Sequence, residues 1–167
     1  MRGKIAACIG TVPSQYVTIS PARQRLSVVK NGDVGASYPV STSRFGIGNR
    51  EGSFMTPPGV HRIAEKIGDG ARPGTVFRDR LDTGEVWDGR ARADNLILTR
   101  ILRLEGLEDG INRGPGIGSF ERYIYIHGTD KEESIGTPIS HGCVCMRNAD
   151  VIALYNTVEV GTIVVID

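Results

Sequence analysis

The stretch "QYVTISPARQRLSVVKNGDVGASYPVS", residues 15–41, decides the fold class. Gln15 to Ser20 and Arg25 to Lys30 are rich in β-branched residues and are joined by a turn at Pro21, the pattern of two strands. Asn31-Gly32 then supplies the two residues that most readily accept positive φ, so a type I′ hairpin leads into "VGASYPVS" and the domain opens as a meander. Outward from there, "FGIGNREGSFMTPPG" (45–59) is punctuated loop, and "VHRIAEKI" (60–67) returns to strand. In that strand Val60, Arg62, Ala64 and Lys66 oppose His61, Ile63, Glu65 and Ile67. Gly68 to Asn95, around the lone Trp87, is polar and charged; a connection that long is either a lid or conceals a strand. "LILTRILRLEG" (96–106) reads as a buried strand. "ERYIYIHGT" (121–129) alternates, with Tyr123, Tyr125 and His127 on one face and Ile124 and Ile126 on the other. "NADVIALYNTV" (148–158) is the one helix, capped by Asn148, with Asp150 near its positive end and an apolar stripe of Val151, Ile152, Leu154, Tyr155 and Val158. "VGTIVVID" closes the chain as a strand. The 22 glycines and eight prolines fit short strands and tight turns, so the expectation is a mainly-β single domain over 15–167, a sandwich or meander with one short helix, preceded by a segment at 1–14.

Twenty basic residues balance nineteen acidic ones, leaving a net charge of +1. No broad field is present to hold nucleic acid or an anionic membrane, and no apolar run is long enough to span a bilayer. Sixteen of the twenty basic residues are arginine, whose planar fork suits carboxylates, which favours an acidic small-molecule or peptide substrate. The start "MRGKIAACIG" is too short in its apolar part for a secretory signal, and Cys8 within it reads as a small buried hydrophobe.

The chemistry concentrates in "SHGCVCMRN", residues 140–148, which holds two of the three cysteines. Cys143, Cys145, His141 and His127 are competent zinc ligands, but structural zinc sites space their cysteines more widely than C-x-C, so no metal is expected. A redox pair is more often C-x-x-C, and a disulfide between residues two apart strains the Cα geometry. The remaining option is a cysteine nucleophile, which needs a base because few thiols are ionised at neutral pH. Both His127 and His141 are in range, and spacing alone does not choose between them. With such a nucleophile, the backbone N–H groups of Gly142 and Cys143 would be the expected holders of an oxyanion, the glycine allowing close approach. The same residues also fit a buried free cysteine near a satisfied histidine.

"IHGTDKEESIGTPISHGCVCMRNADV" (126–151) resembles the signature of the L,D-transpeptidase catalytic domain of the YkuD type: a His-Gly pair, a connecting loop, then Ser-His-Gly-Cys. The opening hairpin, the "TPPGVHRI" strand and the closing "VGTIVVI" are also similar to that family, with Gly68 to Asn95 least matched. The resemblance implies a peptidoglycan-processing enzyme of the cell envelope or periplasm, without cofactor. Its expected substrates are stem peptides, and carbapenems are expected inhibitors. Residue by residue it implies Cys143 as nucleophile, His127 as general base and acid, and the Gly128 carbonyl as orienter of the imidazole. Ser140, His141 and Gly142 would shape the oxyanion turn. Beside the resemblance, Thr129, Tyr125, His61 and Arg147 are candidate substrate contacts, while His61 also reads as an ordinary strand histidine and Tyr125 as core packing. One departure stands out: the family arginine two residues after the nucleophile is Cys145 here, and Arg147, on the same face if the segment is extended, is the expected source of the missing charge. Cys145 itself reads as inert filler or as a modulator of Cys143. The rival readings are an L,D-carboxypeptidase or crosslink hydrolase on the same scaffold, and a catalytically impaired wall-binding module.

Overall fold

The structure, a computed structural model, describes residues 1–167. The meander forms as the sequence predicts: β1 (Gln15–Ser20), β2 (Arg25–Lys30) and β3 (Asp33–Pro39) are antiparallel neighbours, and Asn31 and Gly32 carry φ of 53° and 93° at the hairpin. β4 (Gly59–Ile67), β7 (Ile97–Gly106) and β10 (Ile163–Ile166) also fall within the stretches read as strands. β10 runs parallel to β1 and antiparallel to β4, so the last strand is inserted between the first hairpin and the middle of the chain.

From β3 the order runs β3-β2-β1-β10-β4-β7, and beyond β7 lie β8 (Tyr125–Gly128) and β9 (Val144–Met146). Ser41, two residues past β3, exchanges both backbone hydrogen bonds with Cys145 of β9, at 2.9 and 2.8 Å, so the sheet curls back on itself. Inside the curl lies a core of eighteen residues, to which strands contribute Val17, Ile19, Leu104, Ile126 and Val164, and the second helix Val151, Leu154 and Tyr155. Covering side chains of this size is worth about 1.5–3 kcal/mol each. That helix, α2 (Asn148–Thr157), is held at its C-terminal end by Lys66, whose Nζ donates to the carbonyls of Tyr155 and Val158 at 2.8 and 2.6 Å. A cation there satisfies carbonyls that the helix cannot, at the negative end of its dipole.

Four features differ from the sequence reading. Residues 68–95 conceal a hairpin, β5 (Thr75–Arg78) and β6 (Leu81–Val86), which extends the sheet from β7. All six residues of β6 are exposed, so it carries no hydrophobic alternation to detect. A helix the sequence reading did not expect, α1 (Arg2–Ile9), seals a smaller cluster through Ile5. β8 begins only at Tyr125, because Tyr123 turns into the left-handed region (φ 55°) and the Ile124 N–H bonds to Ser119 O. Asn148 does not cap α2: Arg147 is the N-cap, and Asn148 Nδ2 is drawn inward to Thr129 O at 3.0 Å and Glu132 Oε1 at 2.7 Å. No helix is long and apolar enough to cross a membrane.

His61, at the start of β4, is fully buried; its Nδ1–H donates to Gly59 O at 3.1 Å and Nε2 accepts from Ser119 Oγ at 2.9 Å. Burial lowers its pKa to about 4, against the ordinary 6.5, despite the opposing bond to Gly59. The folded form therefore refuses a proton that the unfolded chain accepts. Stability is complete above pH 6.5 and falls as pH drops through the window from 6.5 toward 4, by about 3 kcal/mol in all. Denaturant melts of wild type and His61→Gln at pH 7 and pH 4.5 should show a clearly smaller acid loss in the variant; equal losses would exclude His61 as the cause.

Candidate active site

β8 and β9 are parallel neighbours in the register Ile126↔Val144, His127↔Cys145 and Gly128↔Met146. Side chains at paired positions point to the same side, so His127 and Cys145 stand together, and Tyr125 and Cys143 occupy the same face one pleat earlier. The parallel ladder thus brings the histidine and both cysteines of the motif to one surface.

His127 is 3% exposed. Its Nδ1–H donates to Gly128 O at 2.7 Å, which fixes the tautomer with Nε2 as the free lone pair. Nε2 faces Cys145 Sγ at 3.9 Å. Burial, only partly offset by the Gly128 carbonyl and Asp130, holds the imidazole below its ordinary pKa and therefore neutral at pH 7. Gly128 is required for close packing: a Cβ there would meet the Asn148 side chain and come within 2.7 Å of Leu98 O.

Cys143 lies just before β9 and is partly exposed, whereas Cys145 within the strand is buried. The Cys143 thiol rests 3.5 Å from Tyr123 O. Burial pushes its pKa up to about 11, even though the Tyr125 N–H and the Arg122 guanidinium act in the other direction. At pH 7 the resting pair is accordingly neutral thiol and neutral imidazole, with a thiolate share of about 10⁻⁴. Cys145, buried against Cys143 and Asp130, is pushed higher still.

The turn before the nucleophile is tied by Ser140, whose Oγ donates to Cys143 O at 2.5 Å and accepts from Gly142 N–H at 3.2 Å. Gly142 has φ 120°, where a side chain would be strained, and its carbonyl accepts from Thr56 Oγ1 at 2.9 Å. The Cys143 carbonyl and thiol are thus presented on a braced left-handed turn. His141 points outward between Phe45 and Phe54, at centroid distances of 5.6 and 5.7 Å, with Arg44 donating to Nε2 at 2.8 Å and the Asn95 amide at Nδ1. Its surroundings, partial burial first and then Arg44 and Lys131, hold its pKa below the ordinary value.

The other expected substrate contacts are distributed unevenly. Tyr125 lines a cleft of about 340 Å³ together with Cys143, Tyr123, Ile97, Asp79 and Arg80. Thr129 is buried in the turn after β8, accepting from Lys131 N–H at 3.2 Å. His61 is enclosed against Ser119 and Gly59, as described above, and does not line this cleft. Arg147 is exposed at the start of α2.

The guanidinium that acts on the thiol is that of Arg122, a residue the sequence did not single out. It is clamped by three carbonyls, Asn49 O at 2.9 Å, Met55 O at 2.7 Å and Gly48 O at 3.4 Å. Met55 O in turn lies 3.4 Å from the point where a Gly142 Cβ would stand, so the clamp abuts the nucleophile's turn. Arg122 and its acceptors lie on different loops, and only its place next to "YIYIHG" could have marked it. The segment after β6 is pinned beside the site by Asp130, whose carboxylate accepts from Arg92 N–H at 2.8 Å and Leu96 N–H at 3.2 Å. Trp87 packs on Val76, Leu96 and Leu98 and anchors that loop.

Comparison with known proteins converges on one family. Residues 14–166 match the YkuD family model, described as the L,D-transpeptidase catalytic domain. The Bacillus subtilis (strain 168) protein named "Putative L,D-transpeptidase YqjB" is 47% identical over 151 residues, covering 90% of this chain and 70% of that protein. Among solved structures, an L,D-transpeptidase from Xylanimonas cellulosilytica superposes with a TM-score of 0.56 at 21% identity, over 100% of this chain and 70% of that one. L,D-transpeptidase 3 from Mycobacterium tuberculosis, in complex with a faropenem-derived adduct, superposes with a TM-score of 0.58 at 16% identity, over 94% of this chain and 61% of that one. At those identities the superpositions speak for the fold, and the chain spans about 60% of the length of several solved relatives. The match over residues 14–166 and the identity to the Bacillus protein carry the conclusion that this chain belongs to the YkuD family of L,D-transpeptidase catalytic domains.

Proposed function

We propose that the chain is a cysteine acyltransferase acting on peptidoglycan stem peptides in the cell envelope, with Cys143 as nucleophile and His127 as general base and acid. The observation that carries the reading is the cleft: of the two cysteines beside His127, only Cys143 opens into it. The Cys143 thiol exchanges Tyr123 O for His127 Nε2, gives up its proton there, and its sulfur attacks the carbonyl of the L-centre of the diaminoacid. The oxyanion forms over the braced Ser140–Gly142 turn. Collapse breaks the bond to terminal D-alanine, whose amine leaves with the proton from Nε2. An acceptor amine then attacks the thioester, passes its proton to Nε2, and the sulfur leaves and is reprotonated. Arg122, clamped beside the turn, favours the negative sulfur at both ends of this cycle. No step calls for a metal or an organic cofactor.

Product analysis on a tetrapeptide stem, with and without an amine acceptor, tests this reading. Release of D-alanine together with a new amide to the acceptor is the expected result. Tripeptide as the sole product at saturating acceptor would assign the protein to the hydrolases of the same scaffold. Absence of turnover with retained sacculus binding would make it a binding module.

A further inference from the structure

The β5–β6 hairpin delivers one guanidinium into the nucleophile's cleft. Asp79 and Arg80, the two residues at its tip, have φ of 49° and 69° in succession, the backbone of a type I′ turn. Asp tolerates the first position, but the second is usually glycine, and a long side chain there is held against its conformational preference. Such strain persists only where the surroundings fix it, and it is concentrated at functional sites. Here the side chain itself is fixed: Arg80 Nη1 donates to the Tyr125 hydroxyl at 3.2 Å, and the guanidinium lies 5.1 Å from the centroid of the Tyr123 ring. The opposed Arg103, 5.2 Å from the same ring, helps to hold Tyr123 in place. Tyr123 and Tyr125 are the two residues whose backbone groups meet the Cys143 sulfur, so Arg80 is coupled to the thiol's immediate support.

Arg80 also lacks a carboxylate partner. On the same hairpin Arg78 pairs with Glu85, as does Arg92 from the following loop, whereas Arg80 forms no ion pair and has one hydrogen bond, to a neutral phenol. Most of its five donors therefore have no protein acceptor, and the side chain lines the cleft it shares with Cys143. A planar fork held in place with donors to spare suits bidentate pairing with a carboxylate.

We infer that Arg80 is a specificity-determining residue that binds a carboxylate of the acyl donor and seats the scissile carbonyl at Cys143. The inference rests on the acyltransferase reading above and adds to it a requirement for an anionic donor. A stem peptide offers that chemistry from more than one place: the free carboxylate of the diaminoacid, that of the preceding glutamyl residue, and that of the terminal D-alanine.

The test compares wild type, Arg80→Ala and Arg80→Lys on a synthetic tetrapeptide and on forms of it amidated at one carboxylate at a time. For wild type, one amidation should lower kcat/KM about 10- to 100-fold, chiefly through KM, and so identify the carboxylate read. Arg80→Ala should lose about as much on the parent peptide and nothing further on that one amide, because the partner is already gone. Arg80→Lys should recover part of the loss. The critical amide is the internal control, since Arg80→Ala and wild type should turn it over equally if the fold is intact. Equal turnover of all peptides by wild type, or undiminished discrimination by Arg80→Ala, would overturn the inference while leaving the acyltransferase reading standing. If wild type acts on none of the peptides, that reading fails and the inference falls with it.

Discussion

Replacing His127 with glutamine should slow acylation of the enzyme by a carbapenem about 10² to 10⁴-fold at pH 7. The size follows from the state of the thiol. With the Cys143 pKa near 11, about one molecule in 10⁴ carries a thiolate at neutral pH, so nearly all reactivity depends on a base that takes the proton as the sulfur attacks. His127 suits that task, because Nδ1–H is committed to Gly128 O and Nε2 is left as the acceptor. The pH profile separates a lost base from a merely disturbed site. Burial lowers the His127 pKa, so protonation disables wild type only below pH 6.5 and the acylation rate should be flat from there to pH 9. Without the base, the rate should follow the thiolate and rise about tenfold per pH unit toward the thiol's own pKa. A wild-type rate that keeps climbing between pH 7 and 9 would point to a free thiolate as the attacking species and remove His127 from its role.

Cys143→Ala should abolish turnover of stem peptides, a loss on the order of 10⁴-fold or more, as expected when a nucleophile is removed. The neighbouring thiol offers no substitute, although it faces the base at 3.9 Å. Cys145 is 2% exposed, its backbone N–H and C=O are both bound to Ser41, and it sits in the middle of β9 where no substrate carbonyl can approach. Its thiol also lacks the help that Cys143 receives from Arg122 and the Tyr125 N–H. Cys145→Ala should therefore fold and turn over at a rate within a few-fold of wild type, which assigns Cys145 to packing against His127.

What the sequence showed and what it hid have a common physical cause. Strands announce themselves by β-branched or apolar runs and, in β4, by alternation, and so β1, β2, β4, β7 and β10 were legible, as was the α2 stripe of Val151, Leu154 and Tyr155. The β5–β6 hairpin was hidden because β6 is wholly exposed and its turn uses Asp79-Arg80 in place of an Asn-Gly signal. The helix α1 was hidden because only Ile5 of its residues is buried. At the site, the resemblance pointed to Cys143 and His127, but the contact between His127 and Cys145 depends on a parallel register between strands far apart in sequence. The replaced arginine led to Arg147 as the compensating charge. Arg122, whose charge opposes the effect of burial on the thiol, comes from a loop whose position is set by the carbonyls of Gly48, Asn49 and Met55. Charges delivered by loop packing leave no periodic trace.

Whether Cys143 is the nucleophile although His127 rests against Cys145 is tested most directly by intact mass and peptide mapping after incubation with a carbapenem. One covalent adduct is expected on wild type, mapped to the peptide bearing Cys143, kept in Cys145→Ala and absent from Cys143→Ala. An adduct that survives in Cys143→Ala, or that maps to Cys145, would contradict that role for Cys143.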